Sequence, residues 1–199
     1  MPPVALLSAY SKYRLADFAR ELRATNWDLI ASSGTAKHLL EQGIPVRDVS
    51  EFVGEPILGH KVVTLSRAIM AGLLADDSPA EEAELRRINM PRIELVYVNL
   101  YPLESEIENP QRTLKSVLEK TDIGGPTMLR AAAKGRRYVL QSSVQFKPVL
   151  DFIRQYPQPT SLERRRFVSN LAYDAEMVAS LYSKISADFL YLDAYGGTL

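Results

Sequence analysis

Apolar residues recur along the chain in two alternating patterns: short continuous runs, and runs spaced three or four residues apart, as expected for strands followed by helices. Val4 to Ser8 reads as a short buried strand, and Arg14 to Ala24 carries Leu15, Phe18, Ala19 and Leu22 at helical spacing. A second unit follows, with Trp27 to Ala31 as strand, Ser32-Ser33-Gly34-Thr35 as turn, and Ala36 to Gln42 as a helix closed by Gly43. Ile44 to Val49 reads as a third strand. The Gly and Pro content between Glu51 and Thr64 predicts a long loop, after which Leu65 to Leu74 and the acidic Pro79 to Arg87 resume helical patterns. Ile93 to Leu100 is nearly all apolar and β-favouring, the signature of a central strand covered on both faces. Gln111 to Lys120 reads as helix, Ile123-Gly124-Gly125-Pro126 as turn, Thr127 to Ala133 as helix and Tyr138 to Leu140 as strand. The last third, Phe146 to Phe189, is helical, with Ser161 as an N-cap. The alternation predicts an α/β fold: a three-layer, doubly wound, mostly parallel sheet with a helical C-terminal part.

Composition narrows the reading. With 199 residues, 46% hydrophobic and 24% charged, residues 1–199 are expected to form one soluble globular domain. Lysine plus arginine and aspartate plus glutamate total 24 each, so no net field gathers nucleic acid and any anion must be held locally. Cysteine is absent, which excludes disulfides, thiolate zinc sites and cysteine nucleophiles within the chain. No run approaches the ~20 apolar residues of a membrane span, and the cytoplasm is the expected compartment.

Ligands of an open parallel sheet bind beyond the carboxyl ends of its strands. Ser8 and Lys12 follow the first strand, and Ser32, Ser33, Gly34 and Thr35 lead from the second directly into a helix. A helix N-terminus offers unpaired N–H groups and partial positive charge, Gly34 permits close approach, and Lys12 could supply full charge: together, a phosphate site. The same residues also read as an ordinary cap and turn. Asp122 could likewise only cap the Gly124-Gly125 turn, Lys134 could be an ordinary C-terminal helix cation, and Asn99 and Tyr101, ending a buried strand, could only pair backbone groups.

Ser32-Ser33-Gly34-Thr35-Ala36-Lys37, Asn99-Leu100-Tyr101-Pro102 and the run Asp122-Ile123-Gly124-Gly125-Pro126-Thr127-Met128-Leu129-Arg130-Ala131-Ala132-Ala133-Lys134 occur in the order and spacing of IMP cyclohydrolase domains. Pro45-Val46-Arg47-Asp48-Val49-Ser50, Thr64-Leu65 and Tyr173-Asp174 extend the match, so the chain resembles that half of the bifunctional purine-biosynthesis enzyme over nearly its whole length. The resemblance implies a methylglyoxal-synthase-like fold. It also implies dehydrative closure of FAICAR (5-formamidoimidazole-4-carboxamide ribotide) to IMP, with no metal or organic cofactor. By carry-over, Ser8, Lys12, Ser32, Ser33, Gly34 and Thr35 would hold the 5′-phosphate, with Thr64 opposite. Lys134, tuned by a neighbouring Asp122, would handle proton transfer beside Tyr101, and Gly124 would present its N–H to the base. Asn99 and Lys61 join the set as substrate-binding residues. A homodimer, and a separate transformylase supplying formylated substrate, are implied in the same way.

The chain also departs from that family. Where the family usually reads Arg-Val-Lys-Thr-Leu-His-Pro, this sequence reads Lys61-Val62-Val63-Thr64-Leu65-Ser66-Arg67. Either Lys61 compensates for the lysine lost at Val63 or the chemistry differs. Tyr10-Ser11-Lys12-Tyr13 replaces Ser-Asp-Lys-Thr, Ser33 replaces a glycine, and Ser169-Asn170 replaces a His-Thr pair. Two alternatives therefore stand beside IMP cyclohydrolase: a cyclase for a related purine-like nucleotide, and a non-catalytic nucleotide-binding module.

Overall fold

The computed structural model describes residues 2–58, 62–157 and 161–196. The first half runs β1 (Val4–Ala9), α1 (Leu15–Ala24), β2 (Asp28–Ala31), α2 (Ser33–Glu41), β3 (Arg47–Asp48), α3 (Ser50–Val53), α4 (Arg67–Leu74) and α5 (Pro79–Arg87). The second half continues with β4 (Ile93–Asn99), α6 (Leu103–Glu108), α7 (Leu114–Lys120), α8 (Gly124–Lys134), β5 (Tyr138–Leu140), α9 (Phe146–Gln155) and α10 (Ser161–Tyr195).

The strands form one sheet in the order β3-β2-β1-β4-β5, and every pairing is parallel, where the sequence predicted a mostly parallel sheet. The chain winds outward from β1 in one direction to β3, then crosses to the other side for β4 and β5. The topological switch point therefore lies between β1 and β4, where a crevice opens beyond the strands' carboxyl ends.

Leu6, Leu7, Ile93, Leu95 and Val96 are fully buried, and each large side chain so buried contributes about 1.5–3 kcal/mol. Phe18 of α1 stacks on Phe146 of α9 at 4.1 Å, and Phe146 meets Tyr97 of β4 edge-on, which places α1 and α9 on one face. Glu94, three positions from Tyr97 and so pointing to the opposite face, pairs with Arg164 of α10 at 3.2 Å. That face is covered by α4, α8 and α10, with α8 packed between the other two. No helix among the described residues is long and apolar enough to cross a membrane.

Several predicted boundaries move, each for a local reason. The third strand shrinks from Ile44–Val49 to Arg47 and Asp48, because Pro45 has no N–H to give a ladder. The predicted loop from Glu51 to Thr64 contains the end of α3, which starts where the Asp48 carboxylate accepts the Ser50 N–H at 2.8 Å and stops at Gly54, φ +84°. Further along it, Ile57 and Val62 form an antiparallel bridge. Both predicted glycine turns are instead first turns of helices, α2 beginning at Ser33 and α8 at Gly124. The C-terminal helix runs unbroken for 35 residues, about 52 Å, and reaches Tyr195, six residues past the helical stretch to Phe189 that the sequence predicted.

Candidate functional site

Two walls face each other across the switch point. The first is built on β1, β2 and the start of α2, with Thr35, 1% exposed, at its centre. Its hydroxyl oxygen accepts the Ala9 N–H at 3.1 Å, lies 3.2 Å from Lys12 Nζ and takes a hydrogen bond from the Ser32 hydroxyl at 3.2 Å. The Lys12 ammonium also donates to the Ala9 carbonyl, and burial lowers its pKa from the ordinary lysine value. Ser32 is extended, and the N–H groups of Thr35 and Ala36 return to its carbonyl. The N–H groups of Ser33 and Gly34 precede the first intrahelical acceptor and are left to point outward. A Cβ on Gly34 would meet nothing within 4 Å, so the side-chain direction there is open.

Three expectations change on this wall. Ser8 lies within β1, opposite Val98, rather than in the loop after it. The Ser33 hydroxyl donates to Asp48 at 3.0 Å, which leaves only its N–H for an anion. The glycine freedom expected to be missing at Ser33 is not needed, because its φ is not positive. Asn99 is occupied with the backbone: its carbonyl accepts the Tyr10 N–H at 3.1 Å and its side-chain oxygen the Ser11 N–H at 2.7 Å, which ties the loop after β1 to the end of β4.

The second wall starts at Tyr101, continues through Lys120 and Asp122, and ends at the first turn of α8. Asp122 accepts the Gly125 N–H at 2.8 Å and so starts that helix. Burial raises its carboxyl pKa above the usual aspartate value, opposed by the N–H groups of Gly125, Tyr101 and Gly124. A Cβ on Gly125 would collide with the Asp122 carboxylate and sit 2.5 Å from Leu100 Cδ2; one on Gly124 would sit 2.8 Å from the Thr64 hydroxyl. Glycine at both positions lets α8, Thr64 and Asp122 close on one another. Tyr10 and Tyr101 meet edge to face at 5.4 Å across the gap between the walls.

The expected pairing of Lys134 with Asp122 is corrected. The two residues stand at opposite ends of the eleven-residue α8, about 15 Å apart along its axis, and Lys134 is exposed at the amino end of the sheet. Val63 packs against the core and brings no charge. Ser66 caps α4 through the Ala68 N–H at 3.1 Å, and Ser169 accepts from Arg136 at 3.1 Å. Lys61 and His60 lie outside the described residues. No group of three or more metal-ligating side chains occurs among the described residues.

Two residues of the second wall were not expected from the sequence. Lys120 holds its ammonium 5.2 Å from the Tyr10 ring centroid and 6.0 Å from that of Tyr101. Its position two residues before Asp122 was a usable signal. Tyr182, from α10, accepts the Asp122 N–H and donates to the Lys120 carbonyl, both at 2.9 Å. Burial pushes its phenol up to about 12, so it remains a donor. No local pattern marks that contact.

The family model described as MGS-like domain matches residues 14–127. The bifunctional purine biosynthesis protein PurH of a Cyanothece strain is 43% identical over 178 residues, covering 87% of this chain and 35% of its own length. The same protein of Synechococcus elongatus is 40% identical over 207 residues, covering 98% and 40%. The chain thus spans about two fifths of the length of these relatives. The crystal structure of ForH superposes with a TM-score of 0.80 at 29% identity, covering 96% of this chain and 100% of that one.

Proposed function

This chain belongs to the MGS-like domain family, and from that premise we propose that it is an IMP cyclohydrolase, closing the ring of FAICAR to give IMP. The observation that carries the reading is the meeting, at one switch point, of an anion cradle (Lys12, Ser32, Thr35 and the N–H groups of Ser33 and Gly34) with a half-buried carboxylate beside a tyrosine. The similarity to PurH proteins over nearly the whole chain supports it.

In this reaction the carboxamide nitrogen attacks the formyl carbon and gives up one proton, the formamide nitrogen gives up a second as the ring C=N bond forms, and the formyl oxygen takes up both and leaves as water. A carboxylate with a raised pKa is a better proton acceptor near neutrality than an ordinary one, which assigns Asp122 to the amide nitrogen. Tyr101 takes the role of donating its hydroxyl to the formyl oxygen, and the cradle holds the 5′-phosphate so that the reacting groups meet. Lys134 takes no part within a single chain in this reading.

The test is conversion of synthetic FAICAR to IMP by the purified chain, followed by absorbance and confirmed by mass spectrometry. Turnover that falls about 10²-fold in Asp122→Asn is the expected result. IMP binding without any turnover would overturn it in favour of a nucleotide-binding module. One observation favours a second reading: Val63 supplies no charge where resembling sequences carry lysine, which fits ring closure on a related heterocycle. Turnover of an altered carboxamide ribotide in preference to FAICAR would select it.

A further inference from the structure

Among the described residues, the Lys120 cation on the second wall has no anion to hold it. Lys120 is half-buried, and among the described residues its ammonium forms no ion pair and no hydrogen bond; it rests only over the rings of Tyr10 and Tyr101. Those rings are 47% and 44% exposed, so each leaves about half its surface open at the crevice mouth. A cation over an exposed ring is weakly held, whereas one that donates to a carbonyl oxygen in a water-poor site is held more strongly. The resting position is therefore one that a carbonyl-bearing ligand can outcompete.

The stem of Lys120 is fixed while its tip is free. The Tyr182 hydroxyl donates to the Lys120 carbonyl and accepts the Asp122 N–H, so one phenol sets the spacing between the cation's backbone and the carboxylate's. A heteroaromatic ring seated against Tyr10 and Tyr101 would have the Asp122 carboxylate on one side of its polar edge and Lys120 within reach of the other.

We propose that Lys120 is a specificity-determining residue of the site: it leaves the tyrosine rings to donate to an exocyclic oxygen of a heteroaromatic carboxamide held against Tyr10, while the phosphate end is bound independently by Lys12 and the α2 start. This rests on the nucleotide reading given above. Tyr182 acts through Lys120 and Asp122 and is a positioning residue.

The experiment compares binding of IMP and of ribose 5-phosphate, which has no base, by calorimetry on the full chain, together with kcat and KM for FAICAR. Lys120→Met is expected to weaken IMP binding by tenfold or more while leaving ribose 5-phosphate binding and Tm unchanged. Lys120→Arg is expected to restore part of the loss. Equal weakening of both ligands would mean a structural role and overturn the assignment, as would IMP binding and turnover that Lys120→Met does not alter. A parent chain that binds ribose 5-phosphate yet neither binds IMP nor converts FAICAR would overturn the nucleotide reading itself, and the Lys120 assignment with it.

Discussion

The two walls of the crevice are built in different ways. The first wall is wired by neighbours: Ala9, Lys12, Ser32 and Thr35 come from two adjacent strands and the segments that follow them, and one buried hydroxyl joins them. The second wall is wired at a distance, by a phenol sixty positions from Asp122, with the Thr64 hydroxyl from the segment before α4 close against Gly124. The sheet itself provides for the first. The second depends on side chains from separate segments, which can change one at a time without unmaking the sheet. Departures from the resembling family occur on both sides: Tyr10 and Ser33 belong to the first wall, and Val63 directly precedes Thr64 of the second.

The comparison can be broken from either side. The largest effect is expected from Gly125→Ala, whose Cβ must displace Asp122 or Leu100; overpacking of this kind costs about 1–3 kcal/mol. FAICAR turnover should fall beyond detection while ribose 5-phosphate binding survives, which calorimetry would read; loss of both would show that the walls are not independent. Thr35→Val keeps the volume and removes the shared hydroxyl, leaving the Ala9 N–H buried without an acceptor at about 1–3 kcal/mol. Its Tm should drop and its phosphate affinity with it.

A smaller effect separates the walls by pH. Burial holds the Asp122 carboxyl above its unfolded value, so the native state binds that proton more tightly than the unfolded chain does. Its contribution to stability is full below the unfolded value of 3.8 and is lost as pH rises through the native value. Melting curves of Asp122→Asn should therefore gain on the parent from acid to neutral pH; a constant gap would refute the burial account. The smallest effect is expected at Lys134. Lys134→Ala should leave stability within about 0.5 kcal/mol and turnover unchanged. A large loss of turnover would mean that a second copy supplies this lysine to the site.

Periodicity made the order of the elements readable, and α5 and β5 have the bounds that the pattern predicted. It missed where caps overrule turns: Ser32 and Asp122 recruit the following glycines into helices, so segments composed like loops are helical. The Asp122–Lys134 pairing failed for a reason already present in the pattern, since a helix over Thr127–Ala133 carries Lys134 away from Asp122 by its own rise. The Tyr182 contact had no such trace, because a hydrogen bond across sixty residues follows from packing and leaves no spacing in the sequence.

The Tyr182 bridge also orders events in time. The side chains of the cradle and their partner Asp48 come from the first quarter of the chain, and the loop carrying Lys12 is tied down by Asn99 at the end of β4. The spacing of Lys120 and Asp122 is set only when α10 docks, a late, long-range contact of the kind that forms slowly. A chain emerging N-terminus first would thus be able to order the first wall once β4 is made, and the second only after α10.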